Sequence, residues 1–424
     1  MSDEKKPQIP VEVAARRSEH GKTYDLGGGR FRAEISIAPI HYKDNYKDEK
    51  EAWKDVDLTI VNGRVDKAPY VMVMDGSKVT VTDKKTGAVS VVELLSIGEE
   101  AISKSLVTAA SVKEISKDVD YDLVLTESCV KFQRTIKTAE ALKDATFKIA
   151  GDIPVSYHAY DADGDPVDVE LTSTKDGNIV ESFKIEKDFI KEDGTTEKKA
   201  VVYPVKIDPS LTIQPNTKDG HISSSSPTAN NDTVLYTYKN TDADLRILVE
   251  FSISSVPSGV TIDSATFSLY YTGYFSGTYF PDYVNPKGRN IRLALLRRTD
   301  WHTTQVTWNI YKTGSNWGTA GASNTTSDIN TSYIADSNIP DSGNNWMNWD
   351  VKSMVEQQIS SSVSVLGVNG YQTGANQLSC GIFAPRNHAT TSIRPKLVIE
   401  YTAAASFIPG IMQHNFIPSF LGGR

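Results

Sequence analysis

Cysteine is almost missing from this chain: Cys129 and Cys380 are the only two in 424 residues. They lie in regions of different character, so a disulfide framework is excluded and two small, buried apolar groups are expected. No apolar run reaches the roughly eighteen residues that a membrane-spanning helix needs. The start, Met1-Ser-Asp-Glu-Lys-Lys, is charged and no apolar stretch follows it, so no secretory signal peptide is expected. Positive charge is in deficit, with 45 Lys and Arg against 53 Asp and Glu and a net charge of -8, which argues against nucleic acid as the main partner. The seven histidines are scattered. Catalytic signatures are missing too: no nucleophile elbow, no His-Glu-x-x-His, no Cys-x-x-Cys and no phosphate-binding Gly-Lys-Ser/Thr.

What is present is strand after strand. The alternation of Phe31, Ala33, Ile35 and Ile37 follows Gly27-Gly28-Gly29, a pattern that suits a hairpin needing positive φ at its turn. Further short strands are expected at 56–61, 70–74, 79–82, 89–95, 121–125, 130–136, 146–149, 167–172 and 182–185, with Asn-Gly and Asp-Gly turn signals between them. Short strands at this spacing imply sandwich or barrel architecture, not βαβ units. The composition then changes. Residues 151–200 hold nineteen charged side chains and 301–350 hold five, with Asn, Ser, Thr and Gly in their place. The expected division is an arm at 1–15, a β-rich region at 16–210 with a possible split near 100–115, a β-sandwich at 211–402 and a tail at 403–424. In the second half strands are expected at 233–238, 245–253, 261–271, 291–296, 305–308, 379–384 and 396–401. Asp350 ahead of Val351, Met354, Val355 and Ile359 predicts one short capped helix. The fold class is all-β.

Four stretches of the second half resemble the DNRLRE domain, a β-sandwich module of bacterial and archaeal surface proteins. They are 247–270, which includes Ile247-Leu-Val-Glu-Phe; Leu296-Arg-Arg-Thr-Asp-Trp-His-Thr-Thr-Gln-Val-Thr-Trp-Asn; Trp349-Asp-Val-Lys-Ser-Met-Val; and Arg394-Pro-Lys-Leu-Val-Ile-Glu-Tyr. Their order over about 190 residues matches the family, which implies an antiparallel, jelly-roll-like sandwich with roles in adhesion and accessory polysaccharide binding. Glu250 and Ser252 depart from it, standing where the family shows Arg and Asp, and 272–289 is longer than usual. In the first half, Val202-Tyr-Pro-Val-Lys-Ile-Asp-Pro resembles the segment leading into such modules in Rhs-like wall proteins. Ile40-His-Tyr-Lys-Asp-Asn-Tyr and Trp53-Lys-Asp-Val-Asp-Leu-Thr resemble motifs of those proteins and of phage structural proteins.

Three places are candidate sites. Tyr274, Phe275, Tyr279, Phe280 and Tyr283 put five aromatics into one glycine-containing loop, where they can stack on sugar rings, anchor a partner, or fold back over the sandwich edge. Asp161, Asp163 and Asp165 have the density of a calcium loop, but Gly164 comes one position early, Pro166 follows, and no Glu occupies the twelfth place, so a solvated turn is favoured over a structural calcium site. No other cofactor is implied. The tail carries Phe407, Ile408, Pro409, Phe416, Ile417, Pro418, Phe420 and Leu421 with no charge before Arg424. Each such apolar side chain gains roughly 1.5–3 kcal/mol on burial, so the tail is expected to dock on a partner subunit. Trp301, Trp308, Trp346 and Trp349 read as packing residues.

The reading is a non-catalytic structural or adhesive protein, a virion component of a phage (tail, fibre or capsid-surface subunit), homo-oligomeric and joined to other subunits through its tail. Its outward sandwich would touch a host-surface glycan, without membrane insertion. The second reading is a surface adhesin or carbohydrate-binding protein at the cell surface or secreted by a non-classical route. The third is a glycan hydrolase or lyase.

Overall fold

The computed structural model describes residues 9–102, 109–162, 167–190, 196–212, 218–228, 234–240, 243–274, 284–303, 305–374, 377–388 and 390–403. The chain is all-β, with antiparallel sheets throughout and a single α-helix among the described residues.

The first half stacks two sheets. An 8-stranded sheet runs Val169–Ser173, Ile179–Phe183, Ala145–Gly151, Val89–Ile97, Lys78–Asp83, Tyr70–Asp75 and Arg64–Val65, with Glu100–Ala101 beside Val89–Ile97. A 5-stranded sheet runs Ser111–Ser116, Val119–Thr126, Cys129–Ile136, Val205–Thr212 and Val155–Tyr160. Period-two alternation places Val79 and Val81 of one sheet, and Val130 and Phe132 of the other, in a shared apolar core. Buried residues from both sides of 100–115, such as Ile97 and Ile115, belong to that one core, so this stretch does not divide it.

The second half is a sandwich built from a 13-stranded sheet. Its core draws on both layers, with Phe267, Leu269 and Trp349 meeting Ile247, Val249, Phe251 and Leu293. Burying the large aromatics Phe251, Phe267 and Trp349 contributes roughly 1.5–3 kcal/mol each. The Gly21–Gly27 and Arg30–Ser36 hairpin, which lies in the first half by sequence, is part of this sheet. Arg30–Ser36 pairs with Lys396–Thr402 along its whole length, and Ala33 and Ile35 enter the sandwich core. Arg32 donates to Glu400 at 3.0 and 2.7 Å across the seam. At the hairpin turn Gly27, Gly28 and Gly29 have φ of 82°, 65° and 80°, as the three-glycine signal requires.

Some local expectations fail for physical reasons. The 305–308 stretch forms no strand. Val306 is buried and Trp308 half-buried, packed on the outer face of the sheet beside Trp301 and Trp317, so burial rather than a ladder explains its apolar spacing. The 56–61 stretch is held by isolated bridges, Asp57 to Lys67 and Val61 to Arg64. Ile329–Asn338, Asn345–Asp350 and Val365–Gln372 are strands that propensity alone does not announce. The helix is Lys352–Ser360, and Val351 rather than Asp350 stands at its N-cap position. Asp350 still ends a strand, yet its carboxylate accepts the Lys352 N–H at 3.0 Å.

Candidate functional site

The sequence candidates resolve unevenly. Tyr274 is half-buried at the end of Thr261–Tyr274, paired with Gly381; Phe275, Tyr279, Phe280 and Tyr283 lie outside the described residues. Asp161 is buried and its carboxylate accepts the Val202 N–H at 3.2 Å, which serves the fold; Asp163 and Asp165 lie outside the described residues. So do all eight tail residues from Phe407 to Leu421. Among the described residues no group of three or more His, Cys, Asp or Glu side chains is placed to hold a metal ion. Trp301 and Trp349 are buried, and the Trp349 indole donates to the Ile291 carbonyl at 2.9 Å. Trp346 is half-buried under the Lys396 ammonium, 3.8 Å from the ring centroid. Cys129 and Cys380 are free and buried.

A different place gathers ionisable groups. Where the N-terminal loops meet the sandwich there is a cleft of about 390 Å³. One wall is Ser18, Glu19, His20 and Trp53; the other is Lys218, Glu250, Ser252, Ser254, Ser364 and Val365. The first wall is fixed by backbone bonds: the Ile40 and His41 N–H groups donate to the Glu19 carbonyl at 2.8 and 3.1 Å, and Ser36 N–H to the His20 carbonyl at 2.7 Å. Trp53 is held by two motifs quoted above for their resemblance. Tyr46 meets its ring edge-on at 5.9 Å, and the Lys43 ammonium lies 5.1 Å from its centroid. Lys54 reaches Asp44 at 2.6 Å beside it.

The second wall follows from strand alternation. In Asp244–Ser252, Val249 and Phe251 face the sandwich core, which turns Glu250 and Ser252 to the opposite face. Lys218 lies directly across from Glu250 in the ladder, and its ammonium is 3.3 Å from Glu250 Oε1. Gly367 is the other cross-strand neighbour, and a Cβ there would press on the Leu296 Cβ at 3.2 Å. Burial pushes the Glu250 acid up to about 7, against the opposing pull of Lys218. Burial also lowers the His20 pKa, against the raising influence of Glu19, so the imidazole is neutral at pH 7. Glu19 Oε1, both His20 ring nitrogens and Glu250 Oε2 are buried, with the Tyr46 hydroxyl beside Glu19 and the Ser36 and Ala38 backbone beside the His20 ring. The buried Trp301 indole N–H is directed at Glu250, and its hydrogen bond lowers the acid's pKa against the effect of burial.

Sequence reasoning missed this cleft. The available signal was Glu250 itself, a carboxylate inside the apolar run Ile247-Leu-Val-Glu-Phe. A second recess of about 460 Å³ around Asp57, Arg64, Asp66 and Lys67 is lined by exposed groups already paired with one another, Lys67 with Asp57 and Arg64 with Asp66.

No family model matches the chain. No curated relative matches it either. Among solved structures it is similar to PNGF-II, with a TM-score of 0.21 and 10% identity over 89% of this chain and 63% of that one. It is also similar to the GH31 alpha-xylosidase from Xanthomonas citri, with a TM-score of 0.08 and 10% identity over 94% and 38%. The chain thus spans less than two thirds of either protein, and overlaps this loose carry no functional argument.

Proposed function

We propose that the protein is a non-catalytic structural and adhesive subunit, a component of a phage particle whose DNRLRE-like sandwich faces outward while its C-terminal tail joins a neighbouring subunit. The observation that carries this reading is where the last strand of the sandwich ends. The Ala403 N–H donates to the Gly29 carbonyl at 3.0 Å, so the chain passes into its uncharged, aromatic-rich last segment at the tip of the N-terminal hairpin. That same end of the sheet carries the exposed apolar residues Ile9 and Val11, 82% and 63% accessible. A tail that leaves at a sheet tip, next to uncovered apolar side chains, is suited to join another subunit. The cleft supports the adhesive part of the reading, because it offers serine hydroxyls and one aromatic wall.

The test removes 404–424 and follows oligomeric state by size exclusion with light scattering, and incorporation into particles by electron microscopy. The full chain is expected to assemble and the truncated chain to remain a folded monomer. Unchanged assembly would sink the role given to the tail.

A further inference from the structure

The 8-stranded sheet buries one face in the core of the first half and turns the other outward. Along Tyr70–Asp75, Lys78–Asp83, Val89–Ile97 and Ala145–Gly151, the alternation that sends Met72, Val81, Val92 and Phe147 into the core points the intervening residues the opposite way. The ladder sets these outward residues in straight rows across the four strands. Val73 stands opposite Thr80, Thr80 opposite Val91, and Val91 opposite Ala150. The next row is Val71, Thr82 and Val89. Among the described residues none of these four valines belongs to an apolar cluster, and Val73 and Val89 are 38% and 42% accessible. Beyond the Val73 row lies a charged one, which reads Asp75, Lys78, Glu93 and Lys148 in strand order. Its signs alternate across the sheet.

We propose that this outer face is an interface with a second copy of the chain, the two sheets stacked face to face about a two-fold axis that runs along the strands, between Lys78–Asp83 and Val89–Ile97. The charge order selects this arrangement. Such an axis keeps each residue's position along its strand and reverses the order of the strands. Asp75 then stands over Lys148 of the second copy and Lys78 over its Glu93, so every contact in the charged row is attractive and the neutral rows lie on one another. Stacking without the reversal sets each charge over its like, which is unfavourable. Stacked sheets lie about 10 Å apart with their strands within about 30° of each other, a gap that valine and threonine fill from both sides and that lysine and glutamate span between them. The C-terminal tail answers this face less well, because residues 404–423 carry no charge to meet the alternating row. Arg64, beside Val73, and Asp152, beside Val89, fall at the margin of the contact, where they stay in water. Four strands about 4.8 Å apart make a patch smaller than the roughly 800 Å² per partner of a standard interface. The contact is therefore weak by itself: it forms where copies are already held close and separates on dilution.

The test uses the full chain at high concentration, as equal parts of isotopically labelled and unlabelled protein, treated with a carbodiimide that joins an amine to a carboxylate only where the two touch. Within one copy Asp75 and Lys148 lie three strand spacings apart, about 14 Å, beyond the reach of the two side chains, so a link between them arises only between copies. That link, joining labelled to unlabelled peptides, is the expected result. Val91→Arg, at the centre of the outer face, should abolish it without altering the melting temperature. Lys78→Glu and Glu93→Lys should each lower its yield about tenfold, because each substitution acts twice in a two-fold contact. Mixing Lys78→Glu with Glu93→Lys should restore the yield, since each new charge then meets its opposite on the other copy. Absence of the link, a yield indifferent to Val91→Arg, or no recovery in the mixture would overturn the proposal. Links from Lys148 to the Arg424 carboxylate in place of Asp75 would give the face to the tail and overturn it as well. The chain lacking 404–424 should form the same link at high concentration, so failure of this face and failure of the role given to the tail are read separately.

Discussion

Each half of the molecule buries an ion pair. In the first half, Arg134 reaches from the 5-stranded sheet to Glu181 on the 8-stranded sheet at 2.9 Å, with neither side chain exposed at all. Its guanidinium also donates to the carbonyls of Lys143 and Glu181, at 2.6 and 3.2 Å. In the second half, Lys218 makes a looser contact with Glu250, which borders an open cleft. The second carboxyl oxygens, Glu181 Oε1 and Glu250 Oε2, are chemically alike and both buried. Their surroundings differ. Inside a closed core a buried oxygen is an energetic loss that the packing around it has to offset; beside a cleft the same loss is borne by a thinner layer of protein, with Glu250 itself still buried. Arg also suits the closed position, since its planar fork makes several directed bonds where an ammonium relies on one contact.

The sharpest way to break the comparison is to remove one partner of the closed pair. Glu181→Ala, which leaves the Arg134 guanidinium buried alone, is expected to destabilise the protein by about 3–5 kcal/mol in urea denaturation. The double replacement Arg134→Met with Glu181→Leu should lose much less than that, because two apolar groups of similar volume need no mutual desolvation. Equal losses for single and double variants would mean that volume rather than charge governs the position. A smaller effect is expected at the contact between the two halves, where Arg394 meets Glu127 at 2.5 Å. Arg394→Ala should lower stability by about 1.5–3 kcal/mol, the range for a hydrogen bond to a charged group, and should separate the melting of the halves in calorimetry. One unchanged transition would show that the pair does not couple them.

Much of this architecture was legible because its signals are local. Alternation marked Val79, Val81, Val130 and Phe132 as inward residues, three glycines marked the hairpin turn, and the spacing of Val351, Met354 and Val355 marked the helix. The partners of the strands were not legible. Arg30–Ser36 finds Lys396–Thr402 across most of the chain length, and no pattern within either strand names the other. The cleft was hidden for the same reason. Glu250 stands out in its own apolar run, but Trp53, Lys218 and Ser364 do not in theirs, and only the seating of the hairpin brings them together. Gln305-Val-Thr-Trp misled because an apolar spacing of two also arises when an irregular loop presses two side chains onto a sheet.

The finest test of the contrast between the closed and open pairs is titration of Glu250. Its folded-state pKa of about 7 stands above the ordinary value of 4.5 because burial disfavours the carboxylate more than Lys218 favours it. A raised acid binds its proton more tightly in the folded state, so its stabilising contribution is complete below about 4.5 and declines as pH rises toward 7, with little change beyond. The raw stability curve will not reveal this directly. Acids held low by their partners, such as Glu12 beside Arg17 and Asp44 beside Lys54, push stability the opposite way over the acidic range. Those groups are unchanged in Glu250→Gln, so they cancel in the difference between the two proteins. Wild-type stability minus that of Glu250→Gln should therefore fall by about 3 kcal/mol between pH 4.5 and pH 7.5 and then level off. A difference that stays flat across this window would show that Lys218 keeps the carboxylate ionised throughout, and would set Glu250 apart from Glu181, whose acid burial also pushes up to about 7 despite Arg134.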